Sequence, residues 1–126
     1  MDQRTESVAL TDRGRLVRQD PRTARLVRAA IRVLRDDGPA LGRPLVDSVK
    51  GSRIRNLKEL RPGSSGSSEV RILFVFDPLR RAVLLVAGDK STDWKGWYKA
   101  AIKRAERLYD DHLDAMKAAR QQGRRR

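Results

Sequence analysis

The chain has 126 residues, the length of one compact domain, and a strongly basic composition. Its 29 Lys and Arg against 16 Asp and Glu give a formal net charge of +13, which favours a polyanionic partner. The absence of cysteine excludes disulfides, thiolate catalysis and cysteine-ligated metals, and a single histidine argues against a zinc site built from this chain. No apolar run approaches the about 20 residues that span a bilayer, and no signal core begins the chain, so we expect a cytoplasmic protein.

The N-terminal part of the chain predicts a short strand followed by helices. A weak strand is indicated at 6–10, and a short helix can follow Thr11-Asp12. Asp20 is predicted to cap a second helix that begins at Pro21, where the missing N–H costs nothing, and that ends at Gly38. Helical spacing predicts an apolar face made of Ala24, Val27, Ile31 and Leu34.

The middle of the chain predicts an antiparallel meander. Residues 41–55 are expected to be irregular, a short strand is indicated at 56–61, and residues 62–68 are predicted to form a flexible turn. Two strong strands follow at 70–76 and 82–87. Both are apolar at nearly every position, which predicts central strands that are covered on both faces.

From Trp94 onward the apolar residues recur at steps of three and four, which predicts one long amphipathic helix or two with a kink. Its apolar stripe contains Trp94, Trp97, Tyr98, Ala101, Ile102, Ala105, Leu108, Tyr109, Leu113 and Met116. We expect residues 120–126 to form a basic disordered tail and residues 1–119 to form a single domain. The predicted fold class is α+β, a small twisted and mainly antiparallel sheet packed by N-terminal helices and a C-terminal helix.

Six segments of the sequence, taken together and in order, resemble a known family. They are 38–47, Lys50-Gly51-Ser52-Arg53, 56–64, 69–74, 84–90 and Trp94-Lys95-Gly96-Trp97-Tyr98. In this order they resemble the phage-derived, HigB-like branch of the RelE/ParE toxin superfamily of type II toxin–antitoxin systems. The resemblance extends from about Asp20 to Met116 and therefore covers most of the chain.

This resemblance implies a RelE-like fold and a toxin that inhibits translation. The implied activity is that of a metal-independent endoribonuclease, an mRNA interferase that cleaves messenger RNA on the ribosome without a cofactor. The implied partner is an antitoxin with a helix-turn-helix DNA-binding domain, and operator DNA is bound only through the complex of toxin and antitoxin. No membrane partner is implied.

Four residues are candidates for catalysis, and each also has a purely structural interpretation. Arg71 lies where the family places an arginine and can clamp a phosphate, or it can pair with Glu59 or Glu69. Asp89 can accept the ribose 2′-OH proton or cap a turn, and Lys90 can stabilise the phosphorane or remain solvated. Tyr98 can donate a proton or stack on a base, or it can belong to the core.

Further basic residues are candidates for RNA binding, namely Lys50, Arg53, Lys58, Arg61, Lys95 and Lys99. Trp94 and Trp97 are interpreted as core anchors rather than stacking platforms, because their spacing suits packing on the sheet. His112 is interpreted as a boundary residue. A strip of helix arginines is either solvated or docks to RNA or to an acidic antitoxin; it consists of Arg25, Arg28, Arg32 and Arg35.

Two other functions remain open. A ParE-like toxin shares the fold but inhibits DNA gyrase without cutting RNA, and fold alone does not separate the two functions. A noncatalytic nucleic-acid-binding relic is the other alternative, because residues 53–55 contain no histidine where relatives often carry one or two. A role at a membrane surface ranks last.

Overall fold

The computed structural model describes residues 8–10, 21–63, 69–90 and 93–124. Within them lie the strands β1 (Val8–Leu10), β2 (Val46–Ser48), β3 (Lys58–Leu60), β4 (Val70–Phe76) and β5 (Ala82–Asp89). The helices are α1 (Pro21–Asp37) and α2 (Trp94–Arg124), with a short 3₁₀ turn at Gly38–Ala40. The predicted α+β class is confirmed, while the predicted cap Asp20 and the helix after Thr11-Asp12 lie outside the described residues.

The strands form one twisted sheet in the order β1-β5-β4-β3-β2. The β2–β3, β3–β4 and β4–β5 pairs are antiparallel, and β1 pairs parallel to β5, so the sheet is mainly antiparallel as predicted. The long strands β4 and β5 occupy the interior of the sheet, because a run of apolar residues is stable only where both faces are covered.

Each helix covers one face of the sheet. The face that packs against α1 through Val27, Ala30 and Leu34 is here called the α1 face; it carries Leu60, Ile72, Phe74 and Leu84. The opposite face packs against α2 through Ala101 and Ala105 and is called the α2 face; it carries Leu73, Val75, Val83 and Leu85. The prediction that both central strands are covered on both faces is therefore confirmed.

The α2 face also carries the polar residues of short strand β3 and its neighbours. Side chains alternate between the two faces along a strand, so Glu59 lies opposite Leu73 on the α2 face, whereas Lys58 and Leu60 point to the α1 face. The same alternation places Arg71 on the α2 face, two residues before Leu73. A buried carboxylate and an arginine thus lie under the beginning of α2.

Three predicted boundaries change in the structure. The region 41–55 contains the short strand β2. The sequence did not predict this strand, because it has three residues and only one of them is apolar. The predicted strand at 56–61 is only Lys58–Leu60. Helix α2 is a single helix that continues through Arg124, so the part of the predicted disordered tail that the structure describes is helical. Its 31 residues make it about 46 Å long.

Candidate active site on the α2 face

A cavity of about 400 Å³ opens between strand β3, the segment after β2 and the first two turns of α2. Two lysines, one buried carboxylate and two aromatic side chains share it with small and aliphatic groups. The lining residues are Ser48, Val49, Lys50, Glu59, Trp94, Lys95, Tyr98 and Ile102. A concave pocket with a few convergent polar groups is the usual form of a ligand or active site.

Glu59 is the centre of this site, and its residue is only 5% exposed. Its Oε1 accepts a hydrogen bond from the Tyr98 hydroxyl. The Nε of Arg61 lies 3.4 Å from Oε2 and the Nε of Arg71 lies 4.0 Å from Oε1. A buried carboxylate is stable only when it is paired and hydrogen-bonded, and this group of four residues, here called the Glu59 cluster, meets that requirement.

The two arginines of the Glu59 cluster are held by charge more than by hydrogen bonds. Arg71 donates from Nη1 to the Val70 carbonyl at 2.8 Å, and its side chain is 12% exposed. Within the described part of the chain, the buried Nε atoms of Arg61 and Arg71 have no hydrogen-bond partner. Arg71 therefore takes the predicted ion pair with Glu59, and it lies behind the cavity rather than in its wall.

Tyr98 keeps its proton in this environment. Burial raises the pKa of Tyr98 to about 12, the hydrogen bond to Glu59 and the negative charge of that carboxylate act in the same direction, and the nearby Arg71 opposes them. At neutral pH the phenol is therefore a hydrogen-bond and proton donor. It cannot act as a base there without first losing that proton.

The beginning of α2 positions Tyr98 and the aromatic residues around it. Asp93 caps the helix, because its Oδ1 accepts the Gly96 N–H at 3.1 Å. Trp97 is partly buried among the α2-face core residues, as predicted, and its indole lies directly over Gly88. The interpretation of Trp94 as a core anchor is wrong, because this residue is 55% exposed and lines the cavity. Trp94 is the first residue of α2.

Three of the predicted lysines lie around the cavity. Lys50 and Lys95 line it, and the Lys90 ammonium lies 5.7 Å from the centre of the Tyr98 ring. Lys99 is exposed one turn after Lys95 on α2. Together with Arg61 and Arg71, these side chains place positive charge around Glu59. A second carboxylate, Asp47, lies opposite Glu59 on β2, and its Oδ2 is 3.8 Å from the Arg61 Nη1.

Three other predicted residues have different surroundings. Asp89 is exposed at the end of β5, where the alternation directs it toward the α1 face, and its Oδ1 accepts the Glu69 N–H at 3.0 Å. Lys58 also points to the α1 face. Arg53 ties its loop to α2, because it donates to Asp110 at 2.6 Å and its backbone N–H donates to Glu106 at 2.9 Å.

The residues interpreted as structural or solvated also have definite positions. His112 lies 14 residues after Tyr98, about 21 Å along α2, and its Nε2 is 2.9 Å from the buried Asp77 Oδ2. Arg25, Arg28 and Arg32 are exposed on α1, on the other side of the sheet from the cavity. Sequence reasoning treated Glu59 only as an ion-pair partner; a lone carboxylate on a strand beside an apolar strand was the available signal.

Residues 15–110 match the family described as "Phage derived protein Gp49-like (DUF891)". The chain belongs to the Gp49-like family. Every residue of the cavity and of the Glu59 cluster lies inside the matched region. No helix in the described residues is long and apolar enough to cross a membrane.

Two relatives of this Gp49-like chain come from Mycobacterium tuberculosis (strain ATCC 25618 / H37Rv). It is 58% identical over 94 residues to a protein named "Putative toxin HigB2", an alignment that covers 75% of this chain and 47% of that protein. It is 49% identical over 87 residues to "Putative toxin HigB3", which covers 69% of this chain and 74% of that protein. The chain thus spans about half of the first relative, and the HigB-like resemblance is confirmed. No solved structure matches significantly.

Proposed function

We propose that this Gp49-like protein is the toxin of a type II toxin–antitoxin system, and that it is a metal-independent endoribonuclease that cleaves messenger RNA on the ribosome. The names of the two relatives support the toxin role. The observation that carries the catalytic part is the hydrogen-bonded pair of Glu59 and Tyr98 in the wall of a cavity that Lys50 and Lys95 also line. RNA cleavage without a metal needs a proton acceptor, a proton donor and cations near the phosphate, and this arrangement offers all three.

The proposed reaction is an in-line attack of a ribose 2′-OH on the adjacent phosphorus. Glu59 takes the 2′-OH proton while the 2′-oxygen forms its bond to phosphorus, and the bond from phosphorus to the 5′-oxygen breaks. Tyr98 protonates the leaving 5′-oxygen, and Glu59 then returns a proton to Tyr98 along their hydrogen bond. The products are a 2′,3′-cyclic phosphate and a 5′-OH, and the protein ends in its starting protonation state.

The basic residues have separate parts in this reaction. Lys50 and Lys95 line the cavity and offset the charge that develops on the phosphorane oxygens. Arg71 acts as a positioning residue, because it lies beside Glu59 behind the cavity wall. Lys90 lies next to the Tyr98 ring and adds positive potential at the leaving group. Asp89, the other candidate proton acceptor, would have to turn away from the Glu69 N–H to reach the cavity.

The proposed system includes an antitoxin that binds this protein and silences it. The resemblance to HigB-like toxins supports a helix-turn-helix antitoxin, through which the pair would bind operator DNA. Growth arrest on induction of the toxin alone, and its relief when the neighbouring reading frame is induced too, is the expected behaviour.

The first experiment adds purified protein to a reconstituted translation reaction and maps new 5′ ends on the message. Wild type is expected to produce ends inside the translated region. The double variant Lys50→Ala/Lys95→Ala should lower the cleavage rate at least about 10-fold, because both cavity cations are lost. Its matched control, Lys103→Ala/Lys117→Ala, removes the same charge from exposed positions of α2 and should cleave like wild type.

Intact message at a dose of wild type that arrests growth would contradict the nuclease proposal. Gyrase-dependent DNA breaks under the same conditions would support a ParE-like toxin instead. Growth that is unaffected by the wild-type protein, with salt-sensitive RNA binding retained, would identify a noncatalytic relic.

A further inference from the structure

Trp94 combines a large aromatic surface with exposure at the mouth of the cavity. It is 55% exposed, whereas Trp97, three residues later, is packed against the sheet at Gly88. An exposed indole that lines a cavity offers a ligand a large apolar face together with a polar N–H group. Trp94 lies at the first position of α2.

The Trp94 ring is held in place by its neighbours but remains accessible. It makes a T-shaped contact with the Tyr98 ring, with 6.5 Å between the ring centres and 79° between the planes. The Lys95 ammonium lies over one face of the indole, 5.6 Å from its centre, so a base would stack on the other face or displace the ammonium. The side chain is more than half exposed even with these contacts, so a flat ligand can reach it.

These surroundings are those of a nucleobase platform. Bases of single-stranded RNA stack on aromatic side chains, and neighbouring cations hold the backbone phosphate. Here Lys95 follows the indole directly in sequence, and the Trp94 ring contacts Tyr98, whose hydroxyl is bonded to Glu59. A base on Trp94 would leave its own or the next phosphate beside the Glu59 cluster.

We propose that Trp94 stacks on an unpaired nucleobase of the RNA and thereby sets the scissile phosphate against Glu59 and Tyr98. This proposal rests on the proposed ribonuclease function. Stacking at this position requires an unpaired nucleotide whose base is turned out of its own stack. Because every base has a π face, such stacking discriminates weakly among the four bases. Message cleaved by this protein should therefore show weak base selectivity at the nucleotide bound by Trp94.

Three substitutions at Trp94 distinguish stacking on a base from a purely structural role, in which the side chain only packs against Tyr98. In the translation reaction, Trp94→Ala and Trp94→Leu should each lower the cleavage rate about 10- to 100-fold, whereas Trp94→Phe should retain most of it. Leucine keeps the apolar bulk but has no π face, so a Leu variant that cleaves like wild type would overturn the proposal. Leu79→Ala removes another exposed apolar side chain, 62% exposed in the β4–β5 turn, and should not change the rate.

Tryptophan fluorescence gives an independent readout, because the chain has two tryptophans. A short 2′-O-methyl RNA, which cannot be cleaved, should quench the fluorescence of the Trp97→Phe variant, in which Trp94 is the remaining tryptophan. The same RNA should leave the fluorescence of the Trp94→Phe variant unchanged. The reverse pattern would overturn the proposal.

The two proposals can fail separately. A wild type that does not cleave any message defeats the ribonuclease function and the platform with it. A wild type that cleaves, with Trp94→Ala equally fast, defeats the platform alone.

Discussion

At the scale of single residues, Glu59 decides how the site is interpreted. The basic residues and Tyr98 could be chosen as candidates from the sequence, because charge and the order of motifs are properties of the sequence itself. It did not show that Glu59 is buried and bonded to Tyr98, because that contact joins residues 39 apart in sequence. The alternation of a three-residue strand was too short to assign Glu59 to a face.

Gly88 gives a residue-scale prediction about how Trp97 is seated. A Cβ at Gly88 would lie 2.1 Å from the Trp97 Nε1, so Gly88→Ala must displace the indole and is expected to cost about 1–3 kcal/mol of unfolding free energy. A Cβ at Gly42 meets open space, and Gly42→Ala should stay within about 0.5 kcal/mol of wild type. Urea denaturation midpoints measure both; equal midpoints would show that the glycine is not needed for this packing.

At the scale of elements, α2 contributes to the cavity at its beginning and contacts the turn between β4 and β5 farther along its length. Its first turns carry Trp94, Lys95 and Tyr98 beside the cavity. Farther along, His112 contacts the turn between β4 and β5 through Asp77, whose side chain is fully buried. The Asp77 Oδ1 accepts the backbone N–H groups of Leu79 and Arg81, and Oδ2 accepts the Arg81 Nε at 3.0 Å. The sequence predicted the turn and the helix, but not the bond between them.

The Asp77 contacts give an element-scale prediction. Burial alone would raise the pKa of Asp77, but the hydrogen bonds from His112 and Arg81 outweigh it and hold that pKa below its ordinary value of 3.8. Asp77→Asn should cost about 1–3 kcal/mol of unfolding free energy at neutral pH. Asp114→Asn, at an exposed position of α2, should change it by less than about 0.5 kcal/mol.

The pH dependence of that difference follows from the depressed pKa. A carboxylate whose pKa is lowered by folding stabilises the protein fully above the unfolded-state value of 3.8, and the contribution is lost as the pH falls below it. The difference in unfolding free energy between wild type and Asp77→Asn should therefore become smaller as the pH is lowered below 3.8. A difference that stays constant would mean that the charge of Asp77 contributes nothing.

At the scale of the whole molecule, the basic side chains that the structure describes lie on both faces of the sheet. Lys50, Lys90 and Lys95 surround the site on the α2 face, whereas Lys58 and the exposed α1 arginines belong to the other side. Net charge predicted an anionic partner, and ordered motifs predicted the fold and the family. Neither predicted which cations converge, because that depends on strand register and on where each helix begins.

The rate at which Glu59→Gln cleaves translated message, compared with that of Asp89→Asn, tests whether Glu59 is the proton acceptor. We expect wild type to leave 2′,3′-cyclic phosphate ends and Glu59→Gln to be slower by about 100-fold or more while it still unfolds in a single cooperative urea transition, and we expect Asp89→Asn to cleave at close to the wild-type rate. A folded Glu59→Gln variant that cleaves as fast as wild type, or an Asp89→Asn variant that alone loses activity, would contradict that role.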